Sequence, residues 1–323
     1  MFNTPILLIT FNRPSHTRRV LEAILTANPK DLYVFQDGAR EGNEADVVKC
    51  QQVRDVIDEL TMHCASCIVH RNYSPINLGC GPGPMTGINW FFENVEQGIV
   101  MEDDCFAHPD FFPYCEELLN RYKGTDVKFI NATLYHNRWH CDASYDFSHY
   151  MVTGAWASYR EVWQGFDLDL QNWDAWRFRR QVKMLTGSRT EANWWYWKVK
   201  EIQQDHNKKS YWDYQMQMHL FRQGALTIHP CRNLISNIGF DEAGTHTLSN
   251  DGRGDKDVFP ILPLEHPKEI KVRDNALDIN CFGKTTPRSL YNEFMSFMYQ
   301  SLLYGRGVGH KLLMIYKSIK HGK

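Results

Sequence analysis

Through its first hundred residues the chain alternates short, wholly apolar runs with longer stretches in which apolar residues recur at helical spacing. Residues 5–11 (PILLITF) are continuously apolar and end at Asn12-Arg13-Pro14, where proline cannot continue strand pairing, so they predict a first buried strand. Ser15 stands where a helix cap is expected, ahead of Val20, Leu21, Ile24 and Leu25. Residues 32–36 predict a second strand that stops at Asp37-Gly38. Val47, Val48, Val53, Val56, Ile57 and Leu60 then mark a helix, and residues 67–70 a third strand. Strand, helix, strand, helix, strand is the pattern of a parallel, doubly wound sheet.

The stretch 77–84 (NLGCGPGP) is a glycine- and proline-rich loop before a helix marked by Ile88, Phe91, Phe92 and Val95. It reads equally as a plain turn or as a phosphate cradle, and its spacing does not match a dinucleotide fingerprint. Residues 98–105 (GIVMEDDC) follow: a buried strand that stops on three consecutive acids. Helix is expected over 110–122, strand over 127–134, and strand again over 150–159, with Gly154 marking a bulge or a close approach. From residue 163 to 212 most of the ten tryptophans mix with arginines and lysines in helix-like segments, either as core or as a lid or acceptor surface. A helix starting near Asp213 is stopped by Gly224, and strand-like pieces follow at 226–229 and 234–239. The polar loop 240–247 leads into residues 250–284, rich in glycine, proline and charge. The last stretch, 287–323, has a helical pattern in which Leu302, Leu303, Leu312, Leu313, Ile315 and Ile319 alternate with Arg306, Lys311, Lys317, Lys320 and Lys323, an interfacial-helix signature.

Hydrophobic residues make up 43% of the 323, enough for a substantial core. With 36 basic against 38 acidic residues there is no positive field of the kind a general nucleic-acid binder needs, so small polar ligands are the better expectation and nucleic acid is not. The apolar run near residue 5 is too short for a signal peptide and no stretch approaches a spanning helix, which points to a cytoplasmic protein. Nine scattered cysteines fit reduced thiols better than a disulfide framework.

The chemistry gathers on Glu102, Asp103 and Asp104. Ligands of open α/β sheets collect beyond the carboxyl ends of the strands, and clustered carboxylates there suit a hard divalent cation that neutralises a bound diphosphate. Taken alone, the acids serve equally as loop and cap residues for the next helix. In order along the chain, residues 6–13 (ILLITFNR), Gln36-Asp37-Gly38, residues 100–104 (VMEDD) with 109–112 (PDFF), Gly154-Ala155-Trp156, and Trp212-Asp213 with Arg222-Gln223-Gly224 resemble the metal-dependent GT-A glycosyltransferases. The nearest named branch is the Golgi N-acetylglucosaminyltransferase I family, together with bacterial relatives.

The resemblance, which runs from about Pro5 to His246, implies a GT-A-type α/β fold, a doubly wound, mostly parallel mixed sheet with flanking helices, to which the pattern of the tail adds a helical C-terminal extension. The catalytic domain would span 1–249, with a nucleotide-sugar half to about 106, an acceptor half over about 107–249 and the Trp-rich insertion at about 163–210. A loop-rich linker and basic tail would fill 250–323. It implies Asp104 as ligand of Mn²⁺ or Mg²⁺, Glu102 behind it, Asp103 near the ribose, and Arg13 with Asp37 holding uracil. His246 is a further candidate metal ligand. Asp213 takes the position of the catalytic base, with Asp174 a competing acid in Trp173-Asp174-Ala175-Trp176. The implied activity is inverting transfer of a hexosyl or N-acetylhexosaminyl group from a UDP-sugar to a hydroxyl of a glycan or lipid-linked glycan. The tail would rest on the anionic inner face of a membrane, as suits polysaccharide biosynthesis. Two other classes share features: a nucleotidyltransferase acting on sugar phosphates, though a glycine is missing from the turn after the first strand, and a non-enzymatic carbohydrate-binding protein using Ca²⁺ and the tryptophans.

Overall fold

A computed structural model describes residues 1–62, 64, 66–134, 141–204, 212–239, 254, 256–272 and 278. The chain opens with β1 (Ile6–Thr10), α1 (Pro14–Thr26), β2 (Asp31–Gln36), α2 (Glu44–Thr61), β3 (Ile68–Tyr73) and α3 (Pro82–Asn94). Next come β4 (Gln97–Glu102), β5 (Cys105–Ala107), α4 (Phe111–Tyr122), β6 (Val127–Asn131), β7 (Tyr145–Ser148) and β8 (Ala155–Tyr159). The helices α5 (Arg160–Trp163), α6 (Ala175–Thr186), α7 (Arg189–Gln204) and α8 (Asp213–Gln223) precede β9 (Leu226–Pro230) and β10 (Ile235–Asn237).

Eight strands form one sheet in the order β3-β2-β1-β4-β8-β6-β9-β7, and β10 pairs with β5 beside it. The first four are mutually parallel; β8 runs antiparallel between β4 and β6, β9 is parallel to β6, and β7 closes the edge antiparallel. This is the mixed, mostly parallel α/β sheet with flanking helices that the sequence predicts. All five residues of β1 are buried, as befits a central strand covered by helices on both faces, whereas β3, at the edge, alternates between exposed and half-buried positions. Gly98 lets β4 pass the α3 side: a Cβ there would collide with the Phe91 ring and lie 2.9 Å from the Pro5 carbonyl oxygen.

Several expectations shift in detail. The first helix starts at Pro14, with Arg13 in the capping position and no side-chain cap; Ser15 lies inside the first turn. Proline at the first helical position loses no hydrogen bond there. Val47 and Val48 are exposed at the start of α2, whose buried side is Cys50, Val53, Val56 and Ile57. The stretch read as one strand at 150–159 is a strand only from Ala155, with Gly154 at φ 107° before it, and the short strands β5 and β7 had no distinct signal.

Most Trp-rich residues are core. Trp163, Trp173, Trp195 and Trp212 are buried, and Trp163 stacks on Trp156 at 5.4 Å and on Phe92 at 5.7 Å. Trp176 is the exposed exception, at 59%. The expected boundary at 249/250 lies outside the described residues; the first compact unit runs from Met1 to Asp278. Within it the Ile261 backbone N–H donates to Asp110 Oδ2 at 2.8 Å, and Asp278 is buried, accepting from Ser148 and from the His149 backbone. The basic tail lies outside the described residues. Cys141 and Cys231 are joined as a disulfide with a Cα–Cα distance of 6.2 Å, one pair among the described residues and not the disulfide framework that the sequence argues against.

Candidate active site

Parallel strands β1, β2 and β4 end together, and beyond their carboxyl ends opens a cavity of about 430 Å³ lined by Arg13, Asp37, Arg40, Asn77, Gly79, Cys80, Glu102, Asp103, Asp104, Trp212 and Gly239. The registers Ile9↔Phe35 and Ile9↔Glu102 align the three strand ends and so bring residues from distant parts of the chain to one crevice. Five of the predicted residues, Arg13, Asp37, Glu102, Asp103 and Asp104, therefore share one site. Asp213 begins α8 directly after Trp212, near enough for its charge to raise the Glu102 pKa. His246 lies outside the described residues.

The acids are strongly differentiated. Burial, reinforced by the charge of Asp104, pushes Glu102 up to about 8. Asp103 is also raised by burial, although its Oδ1 pairs with the Arg13 guanidinium and its Oδ2 accepts the Phe11 backbone N–H at 3.3 Å. Arg13 Nη1 reaches Asp104 Oδ2 at 3.0 Å, so the arginine bridges both aspartates. Burial raises Asp213 as well, opposed by the Tyr214 backbone N–H and by Lys198. A carboxylate with a raised pKa is a better proton acceptor near neutrality.

Asp37 stands at the crevice wall, but its oxygens are taken. Oδ1 accepts from the Gly38 and Leu78 backbone N–H groups at 2.9 and 2.8 Å; Oδ2 accepts from the Gly79 backbone N–H and from Asn77 Nδ2, each at 3.1 Å. Four donors fill the usual capacity of a carboxylate, so here Asp37 clamps the glycine-rich turn. The same bonds consume the Leu78 and Gly79 donors that a phosphate cradle would need, which favours the plain-turn reading of 77–84. Arg13, the other predicted uracil contact, is likewise engaged, with the acids.

Among the described residues no three His, Cys, Asp or Glu side chains converge as a ligand cage. What the crevice offers is Asp104, whose side chain is 14% exposed. One hard carboxylate suits Mg²⁺ or Mn²⁺ when substrate phosphates and waters supply the remaining oxygens. The donor chemistry thus fits the group with Asp104 as its protein ligand, and the triplet does not act as a three-carboxylate cage.

Asp174, the competing acid, caps α6 by accepting from the Trp176 and Arg177 backbone N–H groups. Sequence reasoning missed Trp212 as a wall residue, Gly239 as the piece packed on the ion pair, and the Asp46 hub. Asp46 accepts from Arg40 and from Asn12 Nδ2, the latter at 2.7 Å, and these bonds lower it to about 2. Only the placement of Trp212 beside a singled-out acid could have flagged any of them.

No family model and no curated protein matches the chain. Solved structures overlap it at low scores. An apo UDP-glucose pyrophosphorylase covers 73% of this chain and 93% of its own, with 8% identity and TM-score 0.39. A 4-diphosphocytidyl-2C-methyl-D-erythritol synthase from Anaerococcus prevotii covers 50% and 74%, with 8% identity and TM-score 0.30. HddC from Yersinia pseudotuberculosis covers 50% and 78%, with 12% identity and TM-score 0.31. The first two names are not those of glycosyltransferases, and at these scores the overlap carries no argument about chemistry.

Proposed function

We propose that the chain is a nucleotide-sugar-dependent glycosyltransferase that uses a divalent cation and a UDP-sugar and delivers the sugar to a hydroxyl of a glycan or lipid-linked glycan. The observation that carries this reading is the meeting of Glu102, Asp103 and Asp104 around one cavity at the strand ends, with Trp212, the residue before Asp213, in its wall. An acceptor hydroxyl must lose its proton as it attacks the anomeric carbon, and Asp213 is the group suited to take it. A bound Mn²⁺ or Mg²⁺ on Asp104 supplies charge to the departing diphosphate. Trp212 beside Asp213 forms apolar wall, which excludes water from the reacting carbon.

Nucleotidyl transfer onto a sugar phosphate is the second reading, the class to which the overlapping pyrophosphorylase belongs by name. That reaction needs no base, because a phosphate is already an anionic nucleophile. It does need a triphosphate cradle. After β1 the turn is Phe11-Asn12-Arg13-Pro14, without glycine and with a proline that has no N–H, and its arginine is held by two aspartates.

Products separate the two. Incubation with UDP-sugars and Mn²⁺ should release UDP, slowly by hydrolysis and faster with acceptor glycans. Asp213→Asn should cut transfer roughly 10²-fold or more while UDP affinity is kept. Pyrophosphate formed from a nucleoside triphosphate and a sugar 1-phosphate, with no UDP released from any UDP-sugar, would replace the first reading by the second.

A further inference from the structure

Asp104 is the carboxylate that would hold the cation, and its Oδ2 is already held. Arg13 Nη1 lies 3.0 Å away, while the other end of the same guanidinium pairs with Asp103. The Arg13, Asp103 and Asp104 side chains are 17%, 3% and 14% exposed, so the bridge is withdrawn from water and is not a surface pair of little consequence.

A piece of backbone is built onto it. Ile238 N–H donates to the Asp104 carbonyl oxygen at 2.8 Å, His16 Nε2 bonds the Ile238 carbonyl oxygen at 3.1 Å, and Gly239 N–H donates to Asn237 Oδ1 at 2.9 Å. These bonds press Gly239 against the pair so closely that a Cβ there would collide with the Asp104 carboxylate and lie 2.9 Å from Arg13 Nη1.

We propose, on the nucleotide-sugar reading above, that Arg13 is a built-in counter-cation of Asp103 and Asp104, exchanged at Asp104 for the incoming divalent cation, so that cation and diphosphate bind as a coupled pair. The charge balance gives the sign. Two carboxylates against one guanidinium leave one net negative charge. A divalent cation alone inverts this to one positive charge in a shielded site, with Arg13 Nη1 displaced from Asp104 and the guanidinium left on Asp103 alone. The diphosphate bridge of a nucleotide sugar brings two negative charges, gives the freed Nη1 a partner and restores the starting balance.

The test is calorimetric titration of the full chain with Mn²⁺ alone, UDP alone and the two together, for the native protein, Arg13→Met and Arg13→Lys, with circular dichroism confirming the fold. In the native chain UDP should tighten Mn²⁺ binding about tenfold or more, within the range of ordinary coupling between sites. Arg13→Met should bind Mn²⁺ alone at least about tenfold tighter than the native chain, with the coupling to UDP much reduced. Arg13→Lys should retain the coupling, because a single cation remains to be displaced.

If Arg13→Met binds Mn²⁺ alone no tighter than the native protein, the exchange is wrong. It is equally overturned if the Mn²⁺ affinity of the native chain is indifferent to UDP, whatever becomes of the variants. Both results leave the nucleotide-sugar reading standing so long as UDP-sugar hydrolysis is observed. Absence of UDP binding under every condition would remove that reading, and the exchange with it.

Discussion

One carboxylate at the end of β4 is asked to hold the cation, so the cost of losing it is not shared. Asp104→Asn should abolish the gain in UDP affinity that Mn²⁺ gives, leaving UDP binding the same with Mn²⁺ as with chelator; unchanged metal dependence would reduce the acids to loop and cap residues. At the same scale, His229 sets an acid limit. Buried, with its ring hydrogen-bonded to the Tyr150 carbonyl oxygen, it is lowered to about 4 because burial disfavours the charged imidazolium. A depressed pKa means that the unfolded chain binds the proton first, so the stability His229 supports is present above about pH 6.5 and is lost as pH falls towards 4. Asp46 extends the trend, its contribution fading from pH 3.8 towards 2, while Glu102 acts oppositely and costs stability as pH rises towards 8. Between pH 6.5 and 4.5 His229 and Glu102 oppose each other, so the check is differential: relative to the native chain, the melting temperature of His229→Gln should rise as pH falls from 6.5 towards 4. These residues differ in how visible they were. Asp104 and Asp213 stood out because acids after an apolar run, or at the head of a helix, are conspicuous. Asp37 and Arg13 were recognised as crevice residues, yet their hydrogen bonds to Gly79 and Asp104 depend on partners more than forty and ninety positions away.

Among the elements, the parallel strands were the most legible, because a strand covered on both faces is written as an unbroken apolar run. β1 and β4 are of this kind. Short edge pieces such as β5 and β7 are defined by their partners β10 and β9, and three or four residues carry no periodicity of their own. Gly98 in β4 depends on tertiary contact in the same way. Nothing around it in sequence demands glycine, but the Phe91 ring fills the space where a side chain would stand. Gly98→Val should cost about 1–3 kcal/mol by overpacking, read as a lower denaturant midpoint at constant slope. A neutral outcome would mean that α3 and β4 are less tightly apposed than the structure has them. Helix ends depend on similarly local facts: Gly224 at φ 66° stops α8 where the sequence places the stop, while Pro14, not Ser15, opens α1.

For the whole molecule, the Cys141–Cys231 disulfide closes a loop of 90 residues that includes β7, β8 and the Trp-rich helices. Closing so long a loop restricts the unfolded chain, so Cys141→Ser/Cys231→Ser should lower stability by about 2–4 kcal/mol, and a non-reducing digest should yield the linked peptide. Recovery of both cysteines as free thiols from the native protein would overturn the pairing. Among the described residues no helix is long and apolar enough to cross a membrane. By itself the sequence determined the alternation of strands and helices, the class of sheet, and the acids that meet at its carboxyl edge, because burial on both faces and the cost of charge inside a core leave local marks. Tertiary structure alone decided that β8 runs antiparallel between β4 and β6, that Asp37 clamps a turn, that Arg13 sits on the acids, and that Gly239 lies across them. Each of those depends on contacts between residues far apart in the chain, whose energies no local window of sequence contains.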